Sequence, residues 1–492
     1  PNTARGADAP AGSPVMSSPL DLDQETMRRL GHQVADLVAE HLATIRDEPV
    51  QYPIDRRAAR ERVALPVPAP EQGASFDDIV AVLRERILPY HAREPHPRFM
   101  GYVPSAPTFP AVLGDWLATG YNFFAGVWSV ASGPNQVELT VLEWFRQWLE
   151  MPEGSRGLLT SGGSNATLTA VVAARHAAEV AGHTDLAKLV LYCSDQAHSS
   201  VARAAWIAGI PRANVRAVAS DAQFSLRIDA LIEAIARDRA AGLHPFLVAG
   251  NAGATNTGAV DPLHDLADIA VRERLWFHID AAYAGFAMLT ERGRKLLSGI
   301  GRADSVTLDP HKWLYVPFEC GCLMVREPAR LHSAFHVLAD YLKDVEARDE
   351  DVNLADYGEQ LTRYSRAFKI WVSVNYFGLD AIRSAIDGCM RLADRAERRV
   401  REAPELEVLS PALFGVICFR VHPPGVDDPA ALDALNERVN TSVNATQQVL
   451  MSSTRLRGVF SLRLCILNYR TTKADVDAVI DLVRQHAAAS AG

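Results

Sequence analysis

Between Ser305 and Gly321 the chain reads "SVTLDPHKWLYVPFECG", with His311 and Lys312 side by side in a run that otherwise looks like buried strand and apolar loop. An unpaired ammonium is costly away from water, so a lysine in such company needs a partner or a chemical role. Two other strand ends set polar side chains among small residues. In "LWFHIDAAYAG" Asp280 closes an apolar strand and is followed by Ala281, Ala282, Ala284 and Gly285. That pattern leaves room for a flat ligand, and it also suits an ordinary N-cap aspartate. In "LLTSGGSNATLTAVVAARHAAE" a strand-like pair passes through Thr160, Ser161, Gly162, Gly163, Ser164 and Asn165 into a helix. Backbone N–H groups and hydroxyls at a helix start can cradle an anion, although a glycine turn with a Ser or Asn cap reads the same way. A fourth strand, "YCSDQAHSS", ends at His198, either a satisfied structural histidine or an imidazole able to stack on a flat ring.

One hypothesis joins these strand ends. Pyridoxal phosphate needs an anion site for its phosphate, an acid paired with its pyridine nitrogen and an amine for its aldehyde. The carboxylate keeps the ring nitrogen protonated and makes the ring an electron sink for a carbanion at Cα. Covalent attachment to the cofactor also explains the apolar surroundings of Lys312.

The elements that must position these residues are legible in the patterning. From about residue 157 to 325 short unalternating apolar strands, such as "KLVLYCS" and "FLVAGNAG", alternate with helical segments. Such strands are covered by helices on both faces, so the class is α/β with a mainly parallel sheet, whose ligands sit at the carboxyl ends of strands. Ahead of it, residues 21–47 repeat apolar side chains at three and four spacing through Leu30, Val34, Leu37, Val38, Leu42 and Ile45, which predicts an amphipathic helix. From about residue 379 a long helix, three strands and a terminal helix predict a smaller α+β domain. The expected division is a disordered tail over 1–20, an N-terminal helical arm and dimerisation segment over 21–107, a large cofactor-binding α/β domain over 108–378, and a small domain over 379–492.

Composition excludes other classes. With 492 residues, 48% hydrophobic and 22% charged, the chain is neither largely disordered nor built around a membrane span. A formal charge of -9 offers no general attraction for nucleic acid. The six cysteines are scattered, and the Cys320-x-Cys322 pair lacks a second pair or nearby histidines. No metal is expected from them; reduced thiols and a cytoplasmic setting are. The first twenty residues hold no apolar stretch of signal-peptide type.

The strings "HPRFMGYVPS", "DQAHSS", "HIDAAYAG" and "DPHKW", with the Ser/Gly loop in the same order, resemble the group II pyridoxal-phosphate-dependent decarboxylases, and within them the aromatic-L-amino-acid decarboxylase family. The resemblance covers residue 21 to the C-terminus and implies a type I, aminotransferase-like fold. It makes Lys312 the residue that bonds the cofactor, Asp280 the partner of the pyridine nitrogen and His198 the residue stacked on the ring. It places Gly163 and Ser164 at the phosphate, with Thr255, Ala282 and His311 beside the cofactor. Asp309 stands where animal members have an asparagine contacting the phosphate. Tyr341, in the charge-dense stretch "HVLADYLKDVEARDEDVNLADYGEQ", matches the lid tyrosine that delivers a proton to Cα. A substrate pocket is implied at Tyr102, Pro104 and Ser105, and at Phe123, Phe124 and Trp128 from a neighbouring subunit, which makes a homodimer the catalytic unit.

The implied reaction converts an aromatic L-amino acid, of the tryptophan, tyrosine, phenylalanine or dopa class, to its amine and carbon dioxide. The first alternative on the same scaffold is oxidative, ending in an aldehyde. Members of that kind often carry Phe where Tyr341 stands. A remoter alternative is a serine hydrolase, since Gly162-Gly163-Ser164-Asn165-Ala166 nearly fits G-x-S-x-G, but that reading leaves Lys312 and Asp280 without a role.

Overall fold

The computed structural model describes Ser18, residues 20–337 and residues 350–491. Tyr341 and most of the expected N-terminal tail lie outside the described residues. The chain divides into two compact units, one comprising residues up to Glu48 with Pro53–His91, the other Pro49–Tyr52 with the residues from Ala92 onward.

The first unit holds three helices, α1 (Gln24–Thr44), α2 (Arg56–Val63) and α3 (Phe76–Val82). The Asp23 carboxylate accepts the Thr26 N–H at 2.8 Å and starts α1. Gln33 donates to Asp77 at 2.9 Å and Glu40 pairs with Arg84 at 3.1 Å, which joins α1 to the α3 segment. The amphipathic stripe is helical as expected, yet within α1 only Leu42 is buried.

The second unit opens with β1 (Phe99–Met100), α4 (Phe109–Tyr121) and α5 (Trp128–Trp148). A seven-stranded sheet follows: β2 (Arg156–Thr160), β3 (Leu189–Ser194), β4 (Val215–Val218), β5 (His244–Asn251), β6 (Trp276–Asp280), β7 (Ser305–Leu308) and β8 (Gly321–Val325). Their spatial order is β2-β8-β7-β6-β5-β3-β4. Strand β8 runs antiparallel to β2 and β7, and the remaining pairs are parallel. Between the strands come α6 (Gly163–Val180), α7 (Ser199–Ile207), α8 (Ile228–Ala240), α9 (Leu263–Glu273), α10 (Glu291–Leu296) and the single turn α11 (Pro310–Trp313), and α12 (Pro328–Phe335) follows β8. Successive residues of β3 enter different cores: Leu189, Leu191 and Cys193 pack with α6 and α7, whereas Val190 and Tyr192 pack with α8 and α9. Both faces are therefore covered, which explains the unalternating apolar strands.

Register brings the polar strand ends together. Asp280 pairs with Asn251 on one side and Thr307 on the other, and Thr160 pairs with Gly321. The long α13 (Ala367–Glu402) is broken at Gly378, where φ is 72° and glycine is favoured. Beyond it β9 (Leu406–Leu413), β10 (Val416–Val421), α14 (Pro429–Ala445), β11 (Leu450–Leu456), β12 (Val459–Cys465) and α15 (Lys473–Ala491) complete the chain. The second sheet has the order β1-β11-β12-β10-β9 and buries one face against α13, α14 and α15. No described helix is long and apolar enough to cross a membrane.

A polar network runs through the large sheet one layer below the strand ends. Trp276 Nε1 donates to Ser305 Oγ at 2.8 Å, and Ser305 Oγ lies 2.8 Å from His278 Nδ1. His278 is fully buried, and that burial lowers its pKa to about 4 from 6.5. A histidine depressed in the folded state contributes stability that is present above pH 6.5 and lost as pH falls towards 4. The stability advantage of the wild type over His278→Gln, read from urea unfolding at a series of pH values, is expected to shrink across that window.

Candidate active site

The carboxyl ends of β2, β3, β5, β6 and β7 surround a cavity of about 380 Å³. Its wall includes Gly163, Ser164, His198, Thr255, Asp280 and Lys312, and Ala282, Asp309 and His311 also line it. Five strand ends separated by up to about 150 residues of chain thus converge because the sheet register aligns them.

Lys312 gets its position from α11, which Pro310 opens at its first turn; the Lys312 N–H bonds back to the Asp309 carbonyl at 2.9 Å. Its Nζ lies 2.9 Å from Asp309 Oδ2, so the lysine in apolar company has a charged partner that is itself only 3% exposed. His311 Nδ1 accepts the Cys320 N–H at 3.2 Å, which leaves the neutral ring's proton on Nε2, 3.6 Å from Asp309 Oδ2. Burial lowers the His311 pKa, opposed by the Asp309 charge and reinforced by Lys312. Asp309 Oδ1 is enclosed and has no hydrogen-bond partner among the described residues.

The other groups are held as firmly. Asp280 Oδ1 accepts the Ala282 N–H at 3.1 Å. His198 caps α7: its Nδ1 faces Ser200 Oγ at 2.8 Å and accepts the Ser200 N–H at 3.3 Å, which places the other ring nitrogen away from the helix. At the start of α6 the Asn165 and Ala166 N–H groups both turn to the Gly162 carbonyl at 3.0 Å. Gly163 approaches its neighbours closely, since a Cβ there would meet Asp309 Oδ2 at 3.0 Å and the Ala282 Cβ at 3.1 Å. Ser164 Oγ has no histidine partner among the described residues, so the elements of a hydrolase triad do not assemble.

The six expected pocket residues fall outside the wall of this cavity in a single chain. Ser105 is buried and spends its hydroxyl on the Leu467 carbonyl at 3.1 Å. Tyr102 is 66% exposed, and Pro104 is half-buried. Phe123 stacks between Tyr121 and Phe368, with ring centroids 5.5 and 5.1 Å away, and Phe124 and Trp128 are half-buried nearby in sequence.

Three contributors were not anticipated. Arg463 on β12 donates to the Thr255 carbonyl, to the Asn256 carbonyl at 3.1 Å and to the Tyr102 carbonyl at 3.2 Å. An arginine within the apolar strand "FSLRLCIL" was its signal. Glu359 accepts from Asn165 Nδ2 at 2.5 Å and Thr169 Oγ1 at 3.1 Å, and had no local signal. The third is the ion pair of Arg363 and Glu138 at 2.7 Å, both 1% exposed. Arg363 also donates to the Leu159 carbonyl at 2.8 Å while Glu138 accepts the Leu159 N–H at 2.9 Å, so the pair clamps the strand that leads into the α6 loop.

Residues 59–422 match the pyridoxal-dependent decarboxylase conserved domain. The chain belongs to the pyridoxal-dependent decarboxylase family. It is 36% identical to an aromatic-L-amino-acid decarboxylase of Bacillus atrophaeus, over 94% of this chain and 95% of that protein. It is also 32% identical to a phenylacetaldehyde synthase of Arabidopsis thaliana, over 97% of this chain and 98% of that one. Among solved structures, that of Oryza sativa TDC with PLP and tryptamine superposes with a TM-score of 0.91 at 28% identity, covering 96% of this chain and 99% of the other. This family member is accordingly a pyridoxal-phosphate-dependent carboxy-lyase with the type I fold.

Breaking the buried pair from one side strands a charge, so Arg363→Ala is expected to cost about 3–5 kcal/mol. The double variant Glu138→Gln/Arg363→Met removes both charges and is expected to recover part of that loss in urea unfolding.

Proposed function

We propose that the chain decarboxylates an aromatic L-amino acid, of the tryptophan, tyrosine, phenylalanine or dopa class, to the corresponding amine. The observation that carries this reading is the meeting of Lys312, Asp280, His198 and the α6 start around one cavity. The residues fit pyridoxal phosphate. The α6 start offers first-turn N–H groups beside a glycine where a Cβ would be tightly crowded, Asp280 has a second carboxylate oxygen beyond the one bonded to Ala282, and Lys312 supplies a primary amine. When bound, the cofactor supplies an aldehyde for amines and a ring that accepts the electron pair left when the Cα–carboxylate bond breaks.

The chain's own groups then have distinct tasks. Gly163 and Ser164 hold the phosphate at the positive end of α6. Asp280 holds a proton at the ring nitrogen. His198 stacks on the ring, its orientation fixed by Ser200. Lys312 must shed a proton to bond the aldehyde, and Asp309 Oδ2 at 2.9 Å is the acceptor at hand. Thr255, Ala282 and His311 line the same wall, with Thr255 positioned through Arg463. Tyr341 is assigned delivery of the proton that replaces carbon dioxide at Cα, on sequence resemblance.

A homodimer completes the pocket in this reading. Support comes from an apolar surface on α4 and the first half of α13, where Trp116 is 49% and Tyr376 72% exposed alongside Leu117, Tyr121, Trp371 and Phe377. Patches of this kind mark interaction sites. A second copy seated there brings its Phe123, Phe124 and Trp128 to the pocket that Tyr102, Pro104 and Ser105 begin. Residues 21–107 serve as the dimerising arm, with 108–378 and 379–492 as the large and small domains. Six free buried cysteines support a cytoplasmic setting. The similarity to a phenylacetaldehyde synthase favours one second reading, in which dioxygen and water are consumed and aldehyde, ammonia, carbon dioxide and hydrogen peroxide leave.

Mass spectrometry of the holoenzyme's products from an equimolar mixture of L-aromatic amino acids and L-histidine in air tests both. Amine from one or two aromatic substrates is expected; aldehyde as the main product would establish the second reading. Tyr341→Phe is expected to raise the aldehyde fraction. Lys312→Ala is expected to lose the visible absorbance of the covalently held cofactor with an unchanged far-UV circular dichroism spectrum, and Asp280→Asn to lower kcat by about 10²-fold or more.

A further inference from the structure

Away from the cavity, α12 carries His332 in its last turn and His336 at its C-cap. His332 and His336 stack with centroids 4.5 Å apart and planes 14° from parallel, as i and i+4 side chains on one helix face do. Opposite them the turn Leu354–Tyr357 presents Asp356. One potential ligand atom from each of His332, His336 and Asp356 lies within 4.8 Å of the others.

The closest pair, His336 Nδ1 and Asp356 Oδ1, are 3.4 Å apart. His336 Nδ1 is enclosed by protein and makes no hydrogen bond among the described residues despite that proximity. The spacing equals one edge of a tetrahedron around a cation with ligand bonds of about 2.0–2.1 Å, which is about 3.3 Å. Imidazole nitrogen is the commonest protein ligand for such a cation. The C-terminal end of a helix also favours a cation. Behind the cluster, the Tyr357 ring meets His332 edge-on at 5.6 Å and is itself held by Arg156, whose guanidinium donates to the Tyr357 hydroxyl at 3.1 Å.

We propose that His332, His336 and Asp356 form a binding site for a divalent transition metal of the zinc class, with water in the fourth position. Two imidazoles and one carboxylate suit zinc, cobalt or nickel, whereas calcium and magnesium demand an oxygen shell that these residues do not provide. The ion would join α12 to the 354–357 turn across 20 residues of chain. Three residues beyond Asp356, Glu359 holds Asn165 at the edge of the catalytic cavity, so occupancy steadies a segment that supports that edge.

The test uses chelator-stripped holoenzyme, with equilibrium dialysis against Zn²⁺ and against Co²⁺ in parallel with His336→Ala, His332→Ala and Asp356→Asn, each checked for folding by circular dichroism. The wild type is expected to retain one equivalent of either metal per chain, with visible Co²⁺ ligand-field absorption at wavelengths beyond the cofactor band. Each variant is expected to lose that equivalent or bind it at least about tenfold more weakly, as removal of one ligand implies. Absence of a retained equivalent in the wild type, or its undiminished retention in the histidine variants, overturns the site.

Discussion

Burying the Asp309 carboxylate to 3% exposure requires a cation, and Lys312 Nζ at 2.9 Å provides it. Much of the site is arranged around that pair. Pro310 starts a single helical turn so that Lys312 folds back towards Asp309, and Cys320 turns His311 to face the same carboxylate. At Gly163 a Cβ would press on the Asp309 oxygens and Ala282, which would have to give by a few tenths of an ångström. The Lys312 amine is thereby kept in place by a buried carboxylate.

The pair works only because the sheet sets its surroundings in register. Asp280 sits between Asn251 and Thr307, and the polar layer of Trp276, Ser305 and His278 lies just beneath it. Buried polar groups of this kind are costly unless satisfied, and here the bonds run between β6 and β7, so satisfying them also aligns the two strands that carry Asp280 and Asp309. The ion pair of Arg363 and Glu138 does the same for β2, whose end opens into the α6 loop. Arg463 extends the support from the second sheet to the loop bearing Thr255.

Two surfaces outside the cavity contrast in kind. The aromatic face of α4 and α13 is broad and apolar, with side chains such as Tyr376 largely open, and calls for a protein partner. The His332, His336 and Asp356 cluster is small and polar, with an enclosed nitrogen that lacks a hydrogen bond among the described residues, and is the site proposed for an ion. Neither needs the cofactor to be recognised.

Much of this was legible from residue order alone. Unalternating apolar strands announced a sheet covered on both faces, and polar residues at the ends of those strands marked Lys312, Asp280, His198 and the Gly163–Ser164 turn, because backbone patterning and local turn chemistry are properties of adjacent residues. The partners came from afar. Asp309 was visible beside Lys312, but its role as counter-ion was not, and Arg463, Glu359 and Arg363 meet their targets across 190 to 361 residues. The metal cluster shows the same division: H-x-x-x-H at 332 and 336 could be read on one helix, whereas Asp356 joins it only through packing, and attention to cysteine spacing pointed away from a metal. Sequence by itself determined the element types, the order of the motifs and the chemistry available at each strand end. Which of those groups face one another, at what distance and with which charge buried, was decided by the tertiary structure, because parallel register and long-range packing depend on contacts that no local window of sequence contains.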